Sequence, residues 1–170
     1  MSDSVTLAVR LEASLVTMLE SLARREGLEA TAYVQRLLRL HLAQSGLMAA
    51  DERDRVLLIE SLISRAIAKA VQLDHEGSFD AHFTLTVIDA LFADPTFLAD
   101  YERVVGGSAF SRGLAAKASL NMNLGWQIKS AVRADPLLDE KGKARRVQIK
   151  GRPIQSYTLL TRAGSSSRSL

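Results

Sequence analysis

The sequence predicts a mainly α protein with short β segments, and three observations carry that expectation. Residues 5–11 alternate like a strand and run almost directly into two helical stripes. A longer stripe follows in the middle of the chain. Near the C-terminus a basic pair of alternating runs reads as a hairpin.

In the first run Val5, Leu7, Val9 and Leu11 alternate with Thr6, Ala8 and Arg10, which places an apolar row on one face and a short, polar, basic row on the other. A lone strand cannot satisfy its own backbone N–H and C=O groups, and the next strand pattern lies roughly 130 residues further on. Its nearest partner is therefore the same strand of a second copy. Leu15, Met18, Leu19, Leu22 and Ala23 then fall at i, i+3, i+4, i+7 and i+8, lining one side of a helix that Gly27 ends. Thr31 is the expected N-cap of the next helix, whose stripe is Val34, Leu37, Leu38 and Leu42. Tyr33 and Leu40 add apolar surface away from that stripe, so this helix is wider in its apolar face than one subunit needs.

This order resembles the ribbon-helix-helix family of the Arc, MetJ and CopG type. The residues that carry the likeness are Thr6 to Leu11, Gly27-Leu28 and Thr31 to Leu42, about a quarter of the chain. The resemblance implies that residues 1–46 form a DNA-binding and dimerisation domain. Two strands of a homodimer would pair into an antiparallel ribbon that enters the major groove of double-stranded DNA. Thr6, Ala8 and Arg10 would face the bases, and Thr31 is counted among the DNA contacts. Ala8 stands where a polar side chain is usual in the family, so readout would lean on Thr6 and Arg10.

A connecting helix is expected over residues 47–74. It starts near Asp51 with acidic residues suited to the positive end of the helix dipole, supported by an Asp51–Arg55 pair. Its stripe is Ile59, Leu62, Ile63, Ala66, Ile67, Ala70 and Val71. The run Asp74-His75-Glu76-Gly77-Ser78 reads as a linker into a second domain, residues 75–163. There a short helix from Phe83 to Phe92 and another from Phe97 to Val105 are separated by Asp94-Pro95, and Gly106-Gly107 ends the second. His75, Glu76, Asp80 and His82 match no helix-face or knuckle spacing, so neither metal nor cofactor is expected; His41 reads as a surface or core-edge histidine.

Leu114 to Asn121, with Ile128 following, resembles a helix-turn-helix with its turn near Ser119 to Asn121. Its second helix, about Asn123 to Ala134, would present Asn123, Gln127 and Lys129 outward, side chains able to reach adenine, guanine or phosphate. Gly125 departs from that pattern, where a branched residue is usual. Arg146 to Lys150 then alternates with Val147 and Ile149, Ile154 to Leu160 reads as a second strand, and Lys150-Gly151-Arg152-Pro153 as the turn between them. Helices followed by a basic hairpin resemble a winged helix, with Arg145, Arg146, Lys150 and Arg152 on the wing. The same elements also build protein-binding and ligand-sensing α+β domains. The Ser-rich tail, residues 164–170, is expected to be disordered.

Composition bounds the function. An apolar share of 47% with 24% charged residues is that of a globular chain, and the absence of cysteine fits a reducing compartment. No membrane span or signal peptide is legible, so a cytoplasmic, prokaryotic protein is expected. The net charge is only +3, but residues 136–170 hold eight basic and two acidic side chains, which is where phosphate contact is easiest to build. With no Gly-rich phosphate loop, no paired His–Glu motif and no thiol, the chain is not expected to be an enzyme. The expected function is sequence-specific DNA binding by a dimer, as a transcriptional repressor or a plasmid or phage accessory regulator. The alternative from another class is an antitoxin-like protein whose C-terminal domain grips and neutralises a partner protein.

Overall fold

The computed structural model describes residues 8–26 and 28–163. Val5, Thr6 and Leu7 of the leading strand, Gly27 and the tail from Gly164 lie outside the described residues. Among the described residues six helices run in chain order: α1 (Ala13–Arg25), α2 (Ala30–Gln44), α3 (Ala50–His75), α4 (Phe83–Phe92), α5 (Pro95–Val105) and α6 (Ala115–Ala131). Four short strands follow: β1 (Ala134–Pro136), β2 (Arg146–Gln148), β3 (Ser156–Thr158) and β4 (Leu160–Arg162). The chain is mainly helical with short antiparallel strands, as expected. No helix among the described residues is long and apolar enough to cross a membrane.

The axis of the molecule is α3, whose 26 residues extend about 39 Å at a rise of about 1.5 Å per residue. Asp51 and Glu52 sit in its first turn, where the helix dipole favours negative charge. Leu62, Ile63, Ala66 and Ala70 of the predicted stripe are buried, and the two alanines let neighbouring helices approach closely. The ion pair at this end joins Arg53 to Asp54 rather than Asp51 to Arg55. Around the far end of α3, α4 contributes Phe83, Val87, Ile88 and Leu91, α5 contributes Phe97 and Tyr101, and α6 contributes Leu120, Leu124 and Ile128 to one core. Phe92 meets Phe97 and Tyr101 edge to face, with centroids 5.3 and 4.8 Å away.

The stops and starts follow from side-chain chemistry. The Asp74–Ser78 run, expected as a linker, is the C-terminal end of α3: Gly77 takes a left-handed φ of 78°, and the Ser78 N–H donates to Leu73 O. Arg162 of β4 fastens it further by donating to Asp74 at 2.6 Å. Asp94 caps α5 by accepting the Thr96 N–H, and Pro95 takes the first helical position, where a missing N–H costs nothing. That amide bond, with help from Arg65, holds the Asp94 carboxyl below the usual carboxylate range.

The hairpin is present: β2 pairs antiparallel with β3 in the register Arg146 to Thr158, Val147 to Tyr157 and Gln148 to Ser156, and Gly151 turns the chain with a φ of 71°. A strand that the sequence did not suggest, β1, pairs with β4 from Ala134 opposite Arg162 to Pro136 opposite Leu160. The two strand pairs meet in a closed cycle of backbone bonds. Leu137 N–H donates to Leu159 O, Leu159 N–H to Arg145 O, and Arg145 N–H to Leu137 O, at 2.8, 2.9 and 2.8 Å.

Two local expectations are corrected. The cap of α2 is Glu29, without a side-chain capping bond, and Thr31 lies one position inside the first turn, exposed. The helix-turn-helix within residues 114–134 is absent, because α6 runs unbroken through Ser119, Leu120 and Asn121 and ends at Ala131. Asn121 has a tertiary use instead: it accepts the Tyr101 hydroxyl at 2.7 Å, so its side chain does not compete for the helix backbone. Gly125 is carried in the helix interior, and α6 holds its shape by packing against α3, α4 and α5.

Candidate nucleic-acid interface

The N-terminal helices present their predicted stripes outward. On α1 only Ala23 is buried, whereas Leu15, Met18 and Leu22 are exposed; on α2 Tyr33 and Ala43 face inward and Leu37, Leu38 and Leu42 face solvent. Leu38 is 54% exposed. Residues 8–12 precede α1 without regular structure in the single chain, with Val9 65% exposed and Ala8 and Arg10 also at the surface. The segment before α1 and two leucine-bearing helix faces are thus left exposed by the described residues.

A polar clamp fixes this hairpin of helices against the rest of the chain. The Arg36 guanidinium grips Glu60 of α3 with two bonds, Nε to Oε1 at 2.9 Å and Nη2 to Oε2 at 2.7 Å, and its Nη1 reaches Glu26 at the end of α1. The planar fork matches one carboxylate and leaves a donor for the other. The bonded Glu60 carboxylate, aided by Glu26 and against the opposing effect of burial, raises the Arg36 pKa. Gln127 of α6 joins it by donating from Nε2 to Glu26 Oε2 at 3.4 Å.

That last contact corrects an expected site residue. Gln127 is 5% exposed and faces inward, not out toward a groove. Asn123 is half-buried and its Oδ1 is buried with no hydrogen-bond partner among the described residues, which also removes it from an outward row. Lys129 is half-buried with its ammonium 4.0 Å from the centre of the Trp126 ring; burial lowers its pKa, and the Asp135 carboxylate opposes that shift. The surface of α6 is instead small and apolar, with Ala118, Met122 and Trp126 exposed. Buried Lys117 donates to the carbonyls of Ala109 and Ser111 and serves the loop before α6. Burial lowers its pKa.

The hairpin keeps most of its predicted cations at the surface. Arg145, Arg146, Lys150 and Arg152 are all exposed, as are Lys141 and Lys143 in the preceding turn. Arg152 spends part of its charge on Asp89 at 3.2 Å, whereas Lys143, Arg145 and Lys150 have no ion-pair partner among the described residues. Asp139 is turned inward on its own loop, accepting the amides of Lys141 and Lys143 at 2.9 Å each. Lys143 was not among the expected contacts, and neither was Gln148, exposed midway along β2. The alternation that identified the strand also marked Gln148 as sharing a face with Arg146 and Lys150.

No family model, curated protein or solved structure matches this chain. Among the described residues no group of three His, Asp or Glu side chains could hold a metal ion, and His82 is bonded through Nδ1 to the Tyr157 hydroxyl at 2.6 Å.

Proposed function

We propose that this chain is a dimeric, sequence-specific binder of double-stranded DNA, acting as a transcriptional repressor or a plasmid or phage accessory regulator. Its leading strand pairs with that of a second copy, and the ribbon so formed enters the major groove. The observation that carries this reading is the outward face of the N-terminal helices: Leu37, Leu38 and Leu42, with Val9 and Leu11 also exposed, are apolar surface that a second copy would cover. Arg10, exposed on the segment before α1, is the cation best suited to guanine O6 and N7. Arg10→Ala should cost about 1–3 kcal/mol of specific binding with the dimer intact. Unchanged affinity for a selected operator duplex, measured by fluorescence anisotropy, would remove the ribbon from the role of reading head.

A second reading has one observation in its favour. Met122 and Trp126 are exposed together on α6, 63% and 39%, and an apolar helix face of this kind suits a protein partner, as an antitoxin-like chain would require. Met122→Ser with Trp126→Ser would then abolish the partner complex and leave DNA affinity intact.

A further inference from the structure

The β2–β3 hairpin has two unlike faces. Inward, Val147, Ile149 and Tyr157 pack on the core. Outward, Arg146, Gln148 and Lys150 form an exposed row, with Thr158 opposite Arg146 and Ser156 opposite Gln148. The Arg146 Nη2 donates to Ser156 Oγ at 3.0 Å across the pair, which holds that guanidinium over the outer face. Arg146 and Lys150 form no ion pair among the described residues, Asp89 being engaged with Arg152 and Asp139 with its own turn, while Glu140 stays exposed in that turn beside Arg145.

Spacing gives the row a target. Arg146 opens β2 and Lys150 stands two residues past its end, at the bend before Gly151, so the chain can separate them by at most about 13 Å. The major groove of B-form DNA is about 12 Å wide and admits a two-stranded ribbon. A cation at each end can therefore meet the phosphates on either side of the groove while the side chain midway points at base edges. That side chain is an amide, whose donor and acceptor match adenine N7 and N6 in a bidentate pair.

We propose that this hairpin is a second DNA-reading ribbon, in which Gln148 reads an adenine and Arg146 and Lys150 hold the flanking phosphates. It rests on the reading of the chain as a DNA-binding protein, but adds a specificity-determining residue on a surface contributed by a single subunit. B-form DNA is the committed occupant, because the major groove of duplex RNA is too deep and narrow for side chains to read.

The test uses the full chain and a pool of random-sequence duplex DNA, from which preferred sites are selected for the wild type, Gln148→Ala, Arg146→Ala with Lys150→Ala, and Arg10→Ala. Gln148 is exposed, so its replacement leaves the core untouched, and matching melting curves confirm that. Gln148→Ala should reduce discrimination at one adenine position by about 5- to 100-fold while non-specific binding persists. The double variant should lower the slope of log K against log salt by about 1.8, at about 0.9 per phosphate contact. An unchanged base preference in Gln148→Ala overturns the proposal; if Arg10→Ala loses preference in the same experiment, the N-terminal reading survives alone. A silent Arg10→Ala with a defective Gln148→Ala leaves the hairpin as the reading head and removes the N-terminal ribbon. Equal affinity for duplex RNA overturns the proposal, and binding to no duplex at all overturns both readings.

Discussion

The two ends of this chain spend their apolar residues in opposite ways. Around the lower half of α3, Phe83, Phe97, Tyr101, Leu124 and Ile128 are almost wholly buried, so that region closes its core within one chain. The α1–α2 hairpin buries chiefly Ala23, Tyr33 and Ala43 and leaves its leucines outside. Stability in the first region belongs to the single chain, whereas the second has apolar area left over for association.

The sharpest way to break that comparison is a cavity in the closed core. Phe83→Ala removes a ring that is 0% exposed and should cost about 3–5 kcal/mol in urea unfolding. That loss should not depend on protein concentration. A cost below about 1 kcal/mol would show that the core is less closed than described.

Titration offers the next largest effect. Burial pushes the Tyr101 hydroxyl up to about 12, against the hydrogen bond to Asn121 that works the other way. The folded chain therefore keeps a proton that the unfolded chain releases near pH 10. Its contribution is complete below pH 10 and is lost as pH rises toward 12, by at most about 1.4 kcal/mol per pH unit. Tyr101→Phe should flatten the fall in stability across that window, and an identical slope in both proteins would assign it to other groups.

The smallest effect on the subunit is expected at the other end. Leu38→Ser should change unfolding of the C-terminal core by less than about 0.5 kcal/mol, since Leu38 has little within the chain to lose. Sedimentation velocity should nevertheless show weakened self-association. A large destabilisation without any change in association would place Leu38 in the core and dissolve the contrast.

Local pattern was legible wherever one face of an element is buried and the other is not. The α3 stripe and the hairpin alternation were readable for that reason, and Gly151 marked the turn. In α6 the signal fails, because its buried face, Lys117, Leu120, Leu124, Gln127 and Ile128, includes two polar side chains while apolar Met122 and Trp126 are exposed on the other side. Ser119 and Asn121 then look like turn residues, although the partner that satisfies Asn121 is a tyrosine 20 positions earlier. The burial of Gln127 depends on Glu26, 101 positions away, and no local pattern could reveal it. At β1 the sequence Ala134-Asp135-Pro136 is too short to alternate. The N-terminal stripes were legible too, but not their direction, since periodicity defines a face without saying what covers it.

The closed cycle through Leu137, Arg145 and Leu159 has a kinetic consequence. Each residue gives one N–H to the next and takes one from the last, so no two segments can complete their bonding before the third arrives. The Leu160 N–H also donates to Ala81 O, which ties β4 to the start of α4 far back in the chain. The strand pairs are therefore expected to form together, after the helices they rest on, and φ-values at Leu137 and Leu159 near zero would bear that order out.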